Sequence, residues 1–251
     1  MDRHRDSARL LLSARRDPAQ PVRALPEVMA PKTEAQAYLI QREVAEALGE
    51  IGGWKVGSPG PDGPCNCAPL PAAGILSGTA SILERDCPMR GVEAEIALRI
   101  GRSLPPRDAP YGHDEVLDAI ASAHPAIEVL QSRYADPDAV DKLSSLADSL
   151  SHHALVLGPA VQGWRSVAWD SEEVTLLVDG AEVKRRTANP GGDMVRLVAW
   201  LANEGARWAG GLREGQVVTT GSWTGKDLVP SGAEVRIAFS HAGEAALRFV
   251  P

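Results

Sequence analysis

Apolar positions along the chain follow two periodicities, and they change over near residue 50. Ala37, Leu39, Ile40, Val44 and Leu48 recur at helical spacing behind Thr33-Glu34-Ala35-Gln36, which has the form of a capping box, so a helix is predicted over 33–49. An amphipathic first helix is predicted over 1–16, joined to it by an extended connector, Asp17 to Lys32, with prolines at 18, 21, 26 and 31. Beyond residue 50 the pattern turns to strands. Gly52 to Gly57 is a short glycine-bounded strand, 58–74 is a loop dense in Pro and Gly, and 75–100 reads as strands. Pro105-Pro106 breaks the chain; 113–122 has helical spacing and runs into a strand at 125–130, followed by a short helix over 138–148 and a buried strand at 154–157. Residues 174–183 form a hairpin with Asp179-Gly180 at its turn. Asp193 caps a helix that fades at Gly210-Gly211, and strands at 216–219, 233–239 and 245–250 close the chain. Helices early and mostly antiparallel strands later predict an α+β fold: a mixed β roll or barrel with flanking helices, divided into an N-terminal helical segment (1–50) and a mixed β domain (51–251).

Composition adds exclusions. With 251 residues, 44% apolar and 24% charged, the chain has the make-up of a soluble globular protein. A net charge of -7 argues against a nucleic-acid-binding surface. No apolar run approaches the roughly 20 residues of a membrane helix. The triplet Leu10-Leu11-Leu12 is too short for a secretory signal, and Asp2, Asp6 and Asp17 count against a transit peptide, so a cytoplasmic protein is expected. Cys65, Cys67 and Cys87 make no disulfide framework, and Cys65-Asn66-Cys67 lacks a matched fourth ligand for structural zinc.

The candidate chemistry lies in Val92-Glu93-Ala94-Glu95-Ile96-Ala97 and Pro125-Ala126-Ile127-Glu128-Val129-Leu130. On a strand, Glu93 and Glu95 share one face about 7 Å apart; on a helix they would diverge by some 200°. Side by side among apolar neighbours they call for a cation. A bare E-x-E reads first as a solvated strand face, but Glu128 interrupts an otherwise buried run and shifts the balance. Three carboxylates without His or Cys select a hard divalent metal, Mg²⁺ or Mn²⁺. Lys55, between Trp54 and Val56, is either a snorkelling surface lysine or a partly desolvated amine whose pKa falls towards neutrality.

Five motifs occur in one order: Gly53-Trp54-Lys55-Val56-Gly57, the Glu93/Glu95 strand, Glu128 with Ser132-Arg133-Tyr134, Ala147-Asp148, and Gly215 to Ser222. In this they resemble the 2-oxopent-4-enoate hydratase group, which also holds the 4-oxalocrotonate decarboxylases, within the fumarylacetoacetate hydrolase superfamily. The resemblance runs from about residue 33 to the end. It implies a metal-dependent lyase acting on short 2-oxo acids, with the metal at Glu93, Glu95 and Glu128, Lys55 as the active-site lysine, Asp148, Ser151 and Ser222 bordering the substrate, and assembly as a homo-oligomer. Three departures bear on the reaction. Pro71-Ala72-Ala73-Gly74 lacks the acidic residue of the hydratases, as decarboxylase relatives also tend to; Ser149 replaces an Asn; and His152 and His153 replace small residues. His152 is thereby a candidate substitute acid or base, against packing roles for the histidines. Hydration leads, decarboxylation follows, and a non-catalytic 2-oxo-acid binder is the third reading. The substrate's tail is expected to be read by 58–74 and the surroundings of His152.

Overall fold

The structure, a computed structural model, describes residues 3–251; Met1 and Asp2, with which the first predicted helix begins, lie outside them. Two helices open the chain, α1 (Arg3–Arg16) and α2 (Glu34–Leu48). Thr33 caps α2 by accepting from the Gln36 amide, while Gln36 reaches back one residue further than a capping box, to the Lys32 amide. Strands β1 (Ile51–Gly57), β2 (Asn66–Pro71), β3 (Ile75–Ser77), β4 (Ala80–Leu83) and β5 (Gly91–Ile100) follow. Next come α3 (His113–Ala119), β6 (Ile120–Leu130), α4 (Lys142–Ala147) and β7 (His152–Leu157). The hairpin pairs β8 (Glu173–Val178) with β9 (Ala181–Thr187); α5 (Met194–Trp200) and β10 (Val217–Thr219) lead to β11 (Asp227–Leu228), β12 (Glu234–Phe239) and β13 (Gly243–Val250).

These strands make two mixed sheets. The larger has the order β2-β1-β10-β5-β6-β7-β3, with β11 also pairing β5; the smaller has the order β4-β13-β12-β8-β9. Each ends in free edges, so of the predicted roll or barrel the roll is the better description. The outermost strand of the smaller sheet, β9, carries Glu182, Lys184, Arg185 and Arg186, charges that discourage further strand pairing.

The main core lies between the sheets and against α3 and α5, with Trp54, Ile96, Leu98, Ile127, Val156, Trp223 and Phe249 fully buried. A second cluster joins Ala8 and Leu11 of α1, Ala37 and Ile40 of α2, and Tyr134, Leu146 and Ala147, so the N-terminal helices pack on the segment that follows β6. Two expectations shift. The proline-rich 58–74 loop contains β2 and a helical turn at Ala72–Gly74, and the helix foreseen over 138–148 is confined to α4, because Asp141 caps it by accepting from the Leu143 and Ser144 amides.

Candidate metal and substrate site

Neighbouring strands β5 and β6 pair antiparallel with Glu93 directly opposite Glu128, while Glu95 lies one pleat along, opposite Ala126. The period-2 pleat puts all three carboxylates on one face. One oxygen from each lies within 4.8 Å of the others. Two strands away on the sheet, Lys55 sits in register with Thr219, which is in register with Ala97 of β5. Its close approach depends on the glycine before Trp54: a Cβ on Gly53 would run into the Val217 carbonyl oxygen.

Glu128 is held on one side and open on the other. Its Oε1 accepts from Lys55 Nζ at 2.7 Å and lies 2.8 Å from His152 Nδ1, while its Oε2, like the Oε2 of Glu95, is buried without a partner. Buried carboxylate oxygens with nothing to bond are costly, and an all-oxygen set of this kind suits a hard divalent cation. The three glutamates therefore fit Mg²⁺ or Mn²⁺.

The charges of the cluster set one another. Burial acts against the Lys55 ammonium, but Glu128, Glu93 and Glu95 outweigh it and hold the amine above its ordinary value. The sequence offered a fall towards neutrality; the cationic, ion-paired form is what this surrounding favours. Burial would push Glu128 up, yet Lys55 and His152 overcome it and hold the carboxyl at about 2. Glu93 and Glu95 are raised, chiefly by burial, Glu95 the more strongly. Burial lowers His152 to about 4. The neutral ring has one N–H, directed at Glu128, and its Nε2 is buried and unpartnered.

A cleft of about 330 Å³ opens over this cluster. Lys55, Glu93, Glu95 and Ser222 line it, with Ser151 and Leu150 on one wall and Lys226 and Asp138 at the rim. Ser222 bonds Glu93 and accepts from the Gly225 amide at 2.9 Å. Of the eight residues singled out by sequence, five lie on the cleft and Glu128 lies beneath it. Asp148 and His152 do not line it. His152, 1% exposed, stands behind Glu128. Asp148, 3% exposed, is bonded by Arg133 through both the guanidinium and the backbone amide. Sequence reasoning gave no role to Arg133, which also donates to the carbonyls of Gln131 at 2.5 Å, His152 at 2.8 Å and Asp148 at 2.5 Å. The signal for it was an arginine just past a buried strand, followed by Asp136, Asp138 and Asp141 and then by Asp148 at the end of a helix. The polar lining residues Asn66, Asp138 and Lys226 were also passed over.

The segment this cation holds is unusual. Ser149, Leu150 and Ser151 are successive non-glycine residues in the left-handed region, with φ of 51°, 53° and 65°. Arg15 of α1 adds hydrogen bonds to the carbonyls of His152 at 3.2 Å and His153 at 3.4 Å. A larger, more apolar cavity of about 480 Å³, lined by Trp164, Trp169 and Leu98, shares no residue with the cleft.

Similarity to known proteins gives the chain a family. Over 132 residues the chain is 31% identical to the 2-keto-4-pentenoate hydratase of Paraburkholderia xenovorans, a match covering 52% of this chain and 48% of the relative, and equally to 2-keto-4-pentenoate hydratase 3 of Pseudomonas putida. The chain thus spans about half the length of these curated relatives. Its fold is that of the 4-oxalocrotonate decarboxylase of Pseudomonas putida G7, solved with magnesium and adipate: TM-score 0.85 over 98% of this chain and 97% of that one, at 22% identity. A more distant likeness is to the fumarylpyruvate hydrolase of Pseudomonas aeruginosa solved with Mn²⁺ and pyruvate, at TM-score 0.56 and 18% identity, over 78% of this chain and 88% of that one. The C-terminal domain of fumarylacetoacetate hydrolase matches residues 71–250, which hold all three glutamates, and the chain belongs to that family.

Proposed function

We propose that this protein is a divalent-metal-dependent lyase for short 2-oxo acids, and that its reaction is hydration of a 2-hydroxy-2,4-dienoate. The observation that carries the reading is the carboxylate trio, with two orphaned buried oxygens, at the floor of an open cleft beside an ammonium. Glu93, Glu95 and Glu128 would hold Mg²⁺ or Mn²⁺. When bound, such an ion supplies Lewis-acid stabilisation of negative charge on a 2-oxo oxygen. The chain's own groups do the rest. Lys55 orients the substrate's anionic end and, with Glu128 as its partner, carries the proton that a dienol gives up or regains. Ser222 and Ser151, both on the lining of the cleft, contact the substrate. His152 holds Oε1 of Glu128 and leaves Oε2 without a protein partner, a positioning role for a carboxylate that would hold the metal. Asp148 acts through Arg133, fixing the wall that carries Ser151.

Similarity to the 2-keto-4-pentenoate hydratases favours hydration. The second reading, decarboxylation of a vinylogous 2-oxo diacid, rests on Pro71-Ala72-Ala73-Gly74: Ala72 and Ala73 supply no acid, and neither lines the cleft. The test is to supply 2-hydroxypenta-2,4-dienoate with Mg²⁺ and follow the dienol ultraviolet band. The expected result is its loss, abolished in Lys55→Ala and Glu93→Gln proteins that keep their circular dichroism. A band that persists with both Mg²⁺ and Mn²⁺ sinks the hydratase reading, and CO₂ release from 2-oxohex-3-enedioate under the same conditions establishes the second.

A further inference from the structure

We infer that Lys226, at the rim of the cleft, selects substrates carrying a second carboxylate at the end remote from the 2-oxo group. The inference rests on the metal-dependent 2-oxo-acid reading above and deepens it. Two cations line the cleft, Lys55 at the floor and Lys226 at the rim. The first is committed: its ammonium lies 2.7 Å from Glu128 and is almost wholly buried. The second is poised differently. Lys226 Nζ lies 2.8 Å from Asp138 Oδ1, with side-chain exposures of 35% and 82%. An ion pair this open to water is worth little, about 0–1 kcal/mol. Asp138 keeps its hydration if the lysine leaves, so Lys226 can exchange it for a ligand carboxylate at small cost.

The backbone beneath Lys226 is fixed. Thr224 Oγ1 accepts from the Ala94 amide at 3.1 Å, and Lys184 ties the Thr224 carbonyl, at 3.2 Å, to Asp227, at 2.6 Å. The lysine side chain, held by the exposed Asp138, lines the same cleft as Glu93. Net charge by itself disfavours a second carboxylate in the cleft, so the selection rests on the direct contact with Lys226. Three glutamates, a divalent ion and Lys55 sum to zero, and Lys226 with Asp138 sums to zero. A monoacid would leave the occupied cleft at -1, and a diacid at -2 with its far carboxylate facing the rim. Lys226 is the cation on the lining not already engaged at the floor, while Asp138 beside it opposes a second negative charge.

The experiment compares 2-oxohexanoate with 2-oxohexanedioate, equal in length and differing in the terminal carboxylate, by calorimetry on the full chain saturated with Mg²⁺. Binding is read rather than turnover, so the result stands apart from the hydratase assay. The diacid is expected to bind wild type more tightly. Lys226→Met should weaken the diacid by about tenfold and change the monoacid less than about twofold, whereas Asp138→Asn should tighten the diacid alone. An equal loss for both acids, or no loss for the diacid, overturns the role of Lys226 and leaves the metal-binding 2-oxo-acid site standing. Failure of both acids to bind wild type overturns both readings, and a monoacid that binds wild type as tightly as the diacid overturns the role of Lys226.

Discussion

The floor and the wall of the cleft fix their functional groups by opposite means. On the floor, Glu93, Glu95 and Glu128 are placed by strand register and pleat, and what they lack is partners for two buried oxygens. On the wall, residues 149–151 have no ladder to hold them and run through three left-handed residues. There a buried guanidinium does the holding, with Arg133 bonded to Asp148 and to three carbonyls. The floor is stable as backbone and costly as electrostatics; the wall is costly as backbone and stable as electrostatics. Removing a charge should therefore have contrary effects in the two places.

The largest effect on stability should come from the wall. Arg133→Met leaves Asp148 buried without its ion-pair partner and takes a donor from three carbonyls, a loss of about 3–5 kcal/mol by urea denaturation. Glu95→Gln on the floor should cost no stability, since it removes one of three crowded acids whose ionisation burial already disfavours. It should instead eliminate calorimetrically detectable Mg²⁺ binding, leaving the midpoint of unfolding level or higher. If Glu95→Gln unfolds the protein as readily as Arg133→Met, floor and wall do not differ in this way.

How far the sequence discloses each region follows from the same difference. The floor is legible because a period-2 strand is a local rule: E-x-E among Val, Ile and Leu already states the shared face. Lys55 was legible as a candidate, but its raised pKa was not, because the acids that raise it come from two other strands. Strand β2 was hidden by Pro64, Pro69 and Pro71. It is an edge strand pairing only with β1, where a missing N–H need not break a ladder. Strand β11 is two residues long, too short to show a period. The wall was least legible. Asp148 was assigned to the substrate by resemblance, and nothing local says that its carboxylate faces Arg133, fifteen residues back. Nor did the pattern reveal that His152 would sit behind Glu128, since the register between β6 and β7 shifts at Val129/Leu130, just where His152 enters.

His152 belongs to both regions and sharpens the comparison at intermediate scale. It opens β7 from the wall, and its ring supports a floor carboxylate. His152→Ala should lower Mg²⁺ affinity roughly 10–100-fold while all three ligands remain. Mg²⁺ affinity should also fall with pH from above the usual carboxylate range. Burial raises Glu93 and Glu95, so the protonated forms persist to higher pH, and the metal must displace those protons to bind. Titrations at descending pH check this; an affinity flat down to pH 4 would mean that the two acids are not ligands.

The smallest effect concerns the backbone of the wall itself. Ser149 is buried at φ 51°, and each non-glycine residue in that region costs roughly 1 kcal/mol. Ser149→Gly removes that cost, partly offset by the greater freedom of glycine in the unfolded chain. A gain of up to about 1 kcal/mol is expected, a rise in Tm of about 2–4 °C at most for a chain of this size. Ser149 does not line the cleft, so affinities for Mg²⁺ and a 2-oxo acid should stay as in wild type. In an Arg133→Met background the same substitution should recover part of the lost stability, because a turn less costly to form needs less from the guanidinium that holds it. A destabilised Ser149→Gly protein would instead mean that its side-chain packing outweighs the left-handed strain, leaving Leu150 and Ser151 to account for what Arg133 is there to hold.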